Sequence, residues 1–143
     1  MTAYQHILFA TDLSPDSRQV ARQALNMAQH YGARITMLHV VESLPPYAVG
    51  YLGSINIEQE LLEKAESDLA ALAAEIVVPK YEQKVAIGSV KNVILEQAAE
   101  IGADLIIVGS HGRHGIGLLM GSTANAVLHG AECDVLVIRC KEE

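Results

Sequence analysis

Aromatic side chains are nearly missing from this sequence: its 143 residues include one Phe, five Tyr and no Trp. The core must therefore be assembled from Ala, Val, Ile and Leu, a composition that suits helices packed on a parallel sheet. Positive charge is also scarce, with 10 Lys and Arg against 17 Asp and Glu and a formal charge of −7. An acidic chain has no general attraction for a phosphate backbone, so nucleic acid is not expected as a partner. The same deficit leaves no basic face for a membrane surface. Long apolar runs are absent; a run such as 105–108 (LIIV) is far too short to cross a bilayer. The start, MTAYQHILFATD, lacks a basic segment leading into an apolar stretch, so no signal peptide is expected. Cys133 and Cys140 flank the apolar run 135–138. On a strand rising about 3.3 Å per residue they stand too far apart for a bridge. Two reduced thiols, and with them a cytoplasmic location, are the expectation.

Several catalytic signatures are missing as well. No lysine follows the glycines as in a nucleoside-triphosphatase phosphate loop, and neither a nucleophile elbow nor a Cys–His pair can be found. His111 and His114 stand three apart, but no cysteine or third histidine is near enough in sequence to complete a zinc site. His6 and His39 fall within or beside apolar runs and read as core or strand-end residues.

What is present is an alternation of short apolar runs with longer amphipathic segments. The runs 6–10 (HILFA), 34–41, 81–87, 104–108 (DLIIV) and 134–139 read as strands, with 104–108 the most apolar and expected at the centre. Between the first two strands, Ser14 and Pro15 form a favoured helix start, as cap and first helical residue. Val20, Ala21, Ala24, Leu25, Ala28 and Tyr31 then make one apolar face, ended by Gly32. A second helix is expected over 57–76, its inner face carrying Leu61, Leu62, Ala65, Leu69, Leu72 and Ile76, with Pro79 as its stop. A third starts at Ser89, buries Val93, Ile94, Ala98 and Ile101, and ends at Gly102; a fourth covers 122–129 and closes at Gly130. Residues 42–55 form an irregular stretch with Pro45, Pro46, Gly50 and Gly53, long enough to suggest a lid or binding loop. Five strands and four helices in strict alternation predict one α/β domain over 1–143, an open five-stranded parallel sheet with helices on both faces, Rossmann-like. Ligands of such sheets sit beyond the carboxyl ends of the strands.

The segment after the fourth strand, 109–123, holds five glycines within its first thirteen positions: Gly109, Gly112, Gly115, Gly117 and Gly121. An ordinary strand-to-helix connection has no use for them. Glycine lets a ligand approach the backbone, and successive amides then form a concave anion site. Ser122 and Thr123 lie where a helix starts and present amides and hydroxyls to a phosphate, with Arg113 supplying positive charge. The plain alternative is a flexible loop with Ser122 capping the helix. Asp12, ending the first strand, is placed to accept from an adenine amino group or a ribose hydroxyl, or to help hold a divalent cation. Its plain alternative is a turn aspartate ahead of the helix.

Ala10-Thr11-Asp12-Leu13-Ser14, Leu38-His39-Val40-Val41, 102–113 (GADLIIVGSHGR), Gly121-Ser122-Thr123 and 134–139 (DVLVIR) together resemble the universal stress protein family over essentially the whole chain. The nucleotide-binding branch of that family carries a glycine, two residues, a glycine, nine residues, then Gly-Ser or Gly-Thr. Here Gly109, Gly112 and Gly121-Ser122 match, but eight residues intervene, 113–120, one fewer than the pattern; Gly115 and Gly117 are expected to absorb the difference. The resemblance implies an adenine-nucleotide α-hydrolase-like fold and ATP as ligand, with Mg2+ or Mn2+ as its companion. By resemblance, Asp12 meets the ribose or base with Ala10 and Thr11 beside it, and Val40 meets adenine through its backbone. Gly109, Ser110, His111, Gly112, Arg113, Gly121, Ser122 and Thr123 surround the phosphates. It also implies a homodimer through the last strand, Val135, Leu136, Val137 and Ile138, an edge that gains from pairing. A nucleotidyl-transferase relative of the fold carries a His-x-x-His signature after its first strand. Here His111 and His114 follow the fourth, which argues against that chemistry. The reading is a stress-response regulatory protein that binds adenine nucleotide. Its alternatives are a dimeric interaction module of the same fold that holds no nucleotide, and a slow ATPase or autokinase.

Overall fold

In a computed structural model of the chain, the residues described are 4–42, 57–76, 78, 81–110 and 122–139. Five strands, β1 (His6–Ala10), β2 (Arg34–Glu42), β3 (Glu82–Gly88), β4 (Leu105–Gly109) and β5 (Asp134–Ile138), alternate with four helices. The helices are α1 (Ser17–Tyr31), α2 (Ile57–Ile76), α3 (Val90–Ile101) and α4 (Ser122–Gly130). All strand pairs are parallel, in the order β3-β2-β1-β4-β5. The expected fold class is therefore found, with strand bounds that move by at most one residue at each end.

The central position goes to β1 rather than to the run 104–108. β1 is buried at all five positions, whereas the last residue of β4, Gly109, is half-exposed. Hydrophobicity alone cannot separate two interior strands, because both are covered on both faces and read as continuous apolar runs.

Side chains alternate across the sheet, as strand geometry requires. Ile7, Phe9, Ile35, Met37, Leu105 and Ile107 face one layer, packed with Val20, Ala21, Ala24 and Ala28 of α1 and Leu69, Leu72, Ala73 and Ile76 of α2. Leu8, Ala10, Leu38, Val40, Ile106 and Val108 face the other, packed with Ile94 and Ala98 of α3 and Ala124 and Val127 of α4. Small alanines on α1 let that helix lie close to the sheet, which is how a core nearly free of aromatics fills its space.

The start of α1 differs from expectation. The helix begins at Ser17, with Asp16 as its cap residue and no capping side-chain hydrogen bond. Ser14 and Pro15 instead belong to a turn closed by the Ser17 amide donating to the Ser14 carbonyl at 2.9 Å. The fixed φ of proline suits the second residue of such a turn as well as a first helical turn, and sequence does not distinguish the two. Gly32 and Gly102 do end α1 and α3, with φ of 65° and 69°. In both cases the following alanine amide reaches back five residues, Ala33 to Ala28 at 2.8 Å and Ala103 to Ala98 at 2.9 Å.

The amino ends of the strands are bolted together by polar groups. The Asp104 carboxylate accepts from the amides of Gln5 at 2.9 Å and His6 at 3.0 Å, and its own amide donates to the His6 carbonyl at 3.0 Å. Burial works against charge on Asp104, but these amides outweigh it and hold the carboxyl below its ordinary range. His6, buried on β1, contacts Thr36 Oγ1 through Nε2 at 2.7 Å and Arg34 Nη2 through Nδ1 at 3.2 Å. Arginine only donates, so Nδ1 is the acceptor, and Nε2 carries the proton and donates to Thr36.

That arrangement requires a neutral imidazole. Burial first, and then the Arg34 guanidinium, lower the His6 pKa, against weaker opposing pulls from the Ile101 backbone, Glu82 and Asp104. Stability from this group is complete above the unfolded value of about 6.5 and is lost as pH falls through the lower folded value. Urea midpoints are expected to decline as pH falls below about 6.5, and His6→Gln to flatten that decline. An equally steep decline in the variant would assign the effect to other groups.

Tyr4 spans to the opposite edge, donating to Asp134 Oδ2 at 2.6 Å and meeting Tyr31 edge-on at 5.1 Å. The Asp134 hydrogen bond, followed by burial and nearby negative charge, pushes its pKa up to about 12. The contact is thus intact below pH 10 and lost as pH rises through 12. Absorbance titration at alkaline pH is expected to show one of the five tyrosines ionising near 12. Asp134→Ala should bring it back toward 10; an unchanged titration curve would remove the contact from solution.

Candidate functional site

The chain runs from β1 outward to β3 on one side, then returns to place β4 and β5 on the other. This reversal splays the connections that leave β1 and β4 and opens a crevice at their carboxyl ends. The described residues line a cleft of about 860 Å³ there, within the size range of small-molecule sites. Ala10, Thr11 and Asp12 come from the end of β1, Val40, Val41 and Glu42 from β2, and Val108 and Gly109 from β4. Helix starts supply Ser14, Asp16 and Ser17 at α1, Val90 at α3, and Thr123 and Ala124 at α4. Leu61, Lys64, Ala65 and Asp68 of α2 close one flank.

Six residues singled out from sequence, Ala10, Thr11, Asp12, Val40, Gly109 and Thr123, thus meet in one cleft although they come from four separate parts of the chain. Ser110 is buried and does not line it; its amide donates to the Ile138 carbonyl of β5 at 2.8 Å. Ser122 opens α4, but its side chain lies outside the described residues, as do His111, Gly112, Arg113, Gly121 and 43–55 of the expected lid.

The β1–α1 connection is built from two side-chain turns. Thr11 Oγ1 accepts from the Leu13 amide at 3.0 Å, and Asp12 Oδ1 accepts from the Ser14 amide at 2.9 Å. The turn role considered for Asp12 is therefore real. Its second carboxylate oxygen makes no hydrogen bond among the described residues, and Asp12 lines the cleft. The consecutive turns drive Leu13 to a φ of 59°, a conformation that costs a non-glycine residue roughly 1 kcal/mol or more.

A second consequence concerns β2, which outruns β1. The ladder between them runs from His6 beside Arg34 to Ala10 beside Leu38, and closes with the Thr11 amide donating to the Leu38 carbonyl at 2.9 Å. In a parallel ladder alternate residues direct both N–H and C=O to the same neighbour. Leu38 bonds toward β1, His39 toward β3, and Val40 toward β1 again. At Val40, however, β1 has turned away: the Leu13 amide goes to Thr11 Oγ1, and the Thr11 carbonyl accepts from His39 Nδ1 at 2.8 Å. Among the described residues no backbone bond returns to Val40 from this connection. A donor and an acceptor on one extended residue are left side by side on the cleft wall.

Four carboxylates, Asp12, Asp16, Glu42 and Asp68, line the cleft against one described cation, Lys64. Lys64 pairs with Asp68 at 2.9 Å while remaining largely exposed. It was not foreseen from sequence. It flanks the apolar stripe of α2 as any surface lysine would, and only the packing of α2 on β2 and β3, beside α1, brings it to the cleft.

The pattern of the universal stress protein family matches residues 3–139. Universal stress protein A homolog 2 of Coxiella burnetii is 45% identical, with 99% of this chain and 99% of that one covered. Among solved structures, that of hypothetical protein MJ0577 superposes with a TM-score of 0.83 at 22% identity, covering 99% and 100% of the two chains. A universal stress protein solved in complex with cAMP gives 0.67 at 22% identity, covering 96% and 98%. At that identity the solved structures speak for the fold, whereas the family pattern and the Coxiella relative speak for descent. The strand order, the cleft at its reversal and these matches have one origin: the chain belongs to the universal stress protein family.

Proposed function

We propose that the protein is a stress-response regulator that binds an adenine nucleotide, ATP, at the carboxyl ends of β1, β2 and β4. The observation that carries this reading is the open N–H and C=O of Val40 on the cleft wall, with Asp12 lining the same cleft. A donor and an acceptor on one extended residue complement the N1 acceptor and 6-amino donor of adenine. The free carboxylate oxygen of Asp12 suits a ribose hydroxyl or a Mg2+ or Mn2+ ion accompanying the triphosphate, since hard cations take oxygen ligands. Phosphates then extend toward Gly109 and the start of α4, where helix amides favour anions. His111, Gly112, Arg113, Gly121 and Ser122 complete the phosphate site in this reading, with Ser110 behind them. A universal stress protein of the same fold has been solved with cAMP, itself an adenine nucleotide.

The cleft presents no nucleophile–base pair among its described residues, so occupancy rather than turnover is the signal. The protein acts as a cytoplasmic homodimer. β5 borders the sheet with β4 on one side and no described strand on the other, and its half-buried Val135, Leu136, Val137 and Ile138 are suited to pairing with a second copy. Among the described residues no helix is long and apolar enough to cross a membrane. Mass spectrometry of small molecules released from the purified protein is expected to find an adenine nucleotide, and Mg-ATP to raise the melting temperature. No nucleotide and no shift at millimolar Mg-ATP would overturn the reading.

A further inference from the structure

We infer that Thr11 and His39 are positioning residues that hold the recognition edge of Val40 open and so set the selectivity of the cleft for a 6-amino purine. This rests on the nucleotide reading above, but concerns residues that need not touch the nucleotide for the effect. The argument starts from what a parallel ladder does if nothing intervenes. With Ala10 beside Leu38, the next bonds in register would run from the Val40 amide to the Thr11 carbonyl and from the Leu13 amide to the Val40 carbonyl. Both closing groups are diverted. Thr11 Oγ1 takes the Leu13 amide at 3.0 Å, and His39 Nδ1 binds the Thr11 carbonyl at 2.8 Å. Because a carbonyl only accepts, Nδ1 carries a proton.

The diversion carries an energetic cost, since Leu13 is held at a φ of 59°. A hydrogen-bonding side chain on each of two neighbouring strands is needed to keep the ladder from closing: Thr11 acts from the end of β1 and His39 from β2. Both line the cleft beside Val40. Without the Thr11 hydroxyl, the Leu13 amide is free to close on the Val40 carbonyl, and the acceptor for a 6-amino group is lost. Without His39, the Thr11 carbonyl is released toward the Val40 amide, and the donor for the ring nitrogen is lost.

The test compares ATP with purine riboside 5′-triphosphate, which lacks only the 6-amino group, by calorimetry on the full-length protein. The wild type is expected to bind ATP about tenfold more tightly, the worth of one well-placed hydrogen bond. In Thr11→Val that ratio should fall toward one, while Thr11→Ser, which keeps the hydroxyl, should restore it. His39→Leu, which loses the donor for N1, should instead lose the preference for ATP over 1-deaza-ATP, in which a C–H replaces N1. A general folding defect weakens all ligands equally and leaves each ratio unchanged. Thr11→Val retaining the tenfold preference over purine riboside triphosphate, or His39→Leu retaining the wild-type preference over 1-deaza-ATP, would therefore overturn the inference and leave nucleotide binding standing. A wild-type ratio near one would overturn it without any variant. Binding of neither ligand by the wild type would overturn the nucleotide reading and this inference with it.

Discussion

Asp12→Ala is expected to weaken ATP binding by about 10- to 100-fold, the scale of a hydrogen bond to a charged group in a partly enclosed site. Two roles meet in this side chain, one structural and one toward ligand. Oδ1 holds the Ser14 amide and shapes the turn, while the second oxygen is unspent among the described residues. Alanine removes both and should also lower stability by about 1 kcal/mol through loss of the turn. Asp12→Asn separates them, because the amide oxygen still accepts from Ser14 but the charge is gone. Calorimetric titration with Mg-ATP on the two variants measures the difference. If Asp12→Asn binds as the wild type does and only Asp12→Ala fails, the carboxylate serves the turn alone and the ribose or cation role is withdrawn. Any trace of ATP turnover should fall in parallel; turnover that survives Asp12→Ala would belong to another site.

The largest effect on stability is expected at Phe9. It is the single phenylalanine of the chain, 1% exposed, on the central strand, with Met37 and Ile107 beside it in register. Its ring fills the layer between the sheet and helices α1 and α2, where the other contributors are short aliphatics and alanines. Truncating it leaves a cavity that neighbours this small cannot collapse into, so Phe9→Ala should cost about 3–5 kcal/mol. For a domain of this size that is a fall in melting temperature of roughly 10–15 °C. Phe9→Leu, which retains most of the volume, should cost about 1–2 kcal/mol. Chemical denaturation of both variants checks the pair. Near-equal losses would mean that the layer repacks, and that the shortage of aromatics has been offset by plasticity rather than by close fit.

The two residues also mark what a sequence of this kind reveals. Phe9 belongs to an uninterrupted apolar run, and such runs announce buried strands whatever their neighbours. The alternation of runs with amphipathic segments therefore gave the elements and the layered architecture. It did not identify the central strand, because β1 and β4 are both covered on both faces and hydropathy saturates. Asp12, Val40 and Gly109 were legible as site residues because strand ends in an α/β sheet are where ligands gather, and because their motifs resemble those of a known family. Lys64 and Asp68 were not, since their presence in the cleft depends on how α2 lies against the sheet rather than on any local pattern. The roles of Thr11 and His39 were hidden for a similar reason. Each makes a hydrogen bond of ordinary kind, and only the register of β1 against β2 shows what those bonds prevent.

The bolts at the amino ends of the strands have a consequence for how the molecule breathes. Asp104 ties β4 to the start of β1, and His6, Arg34 and Thr36 tie β1 to β2, all on the side of the sheet away from the cleft. Local opening should therefore begin at the opposite end, where β2 outruns β1 and is held by the β3 ladder on one side only. Slow amide exchange is expected for Ile7 and Leu8, and faster exchange for the Val40 amide until a ligand seals it. A sheet fastened at one end in this way can loosen to admit a guest without approaching global unfolding.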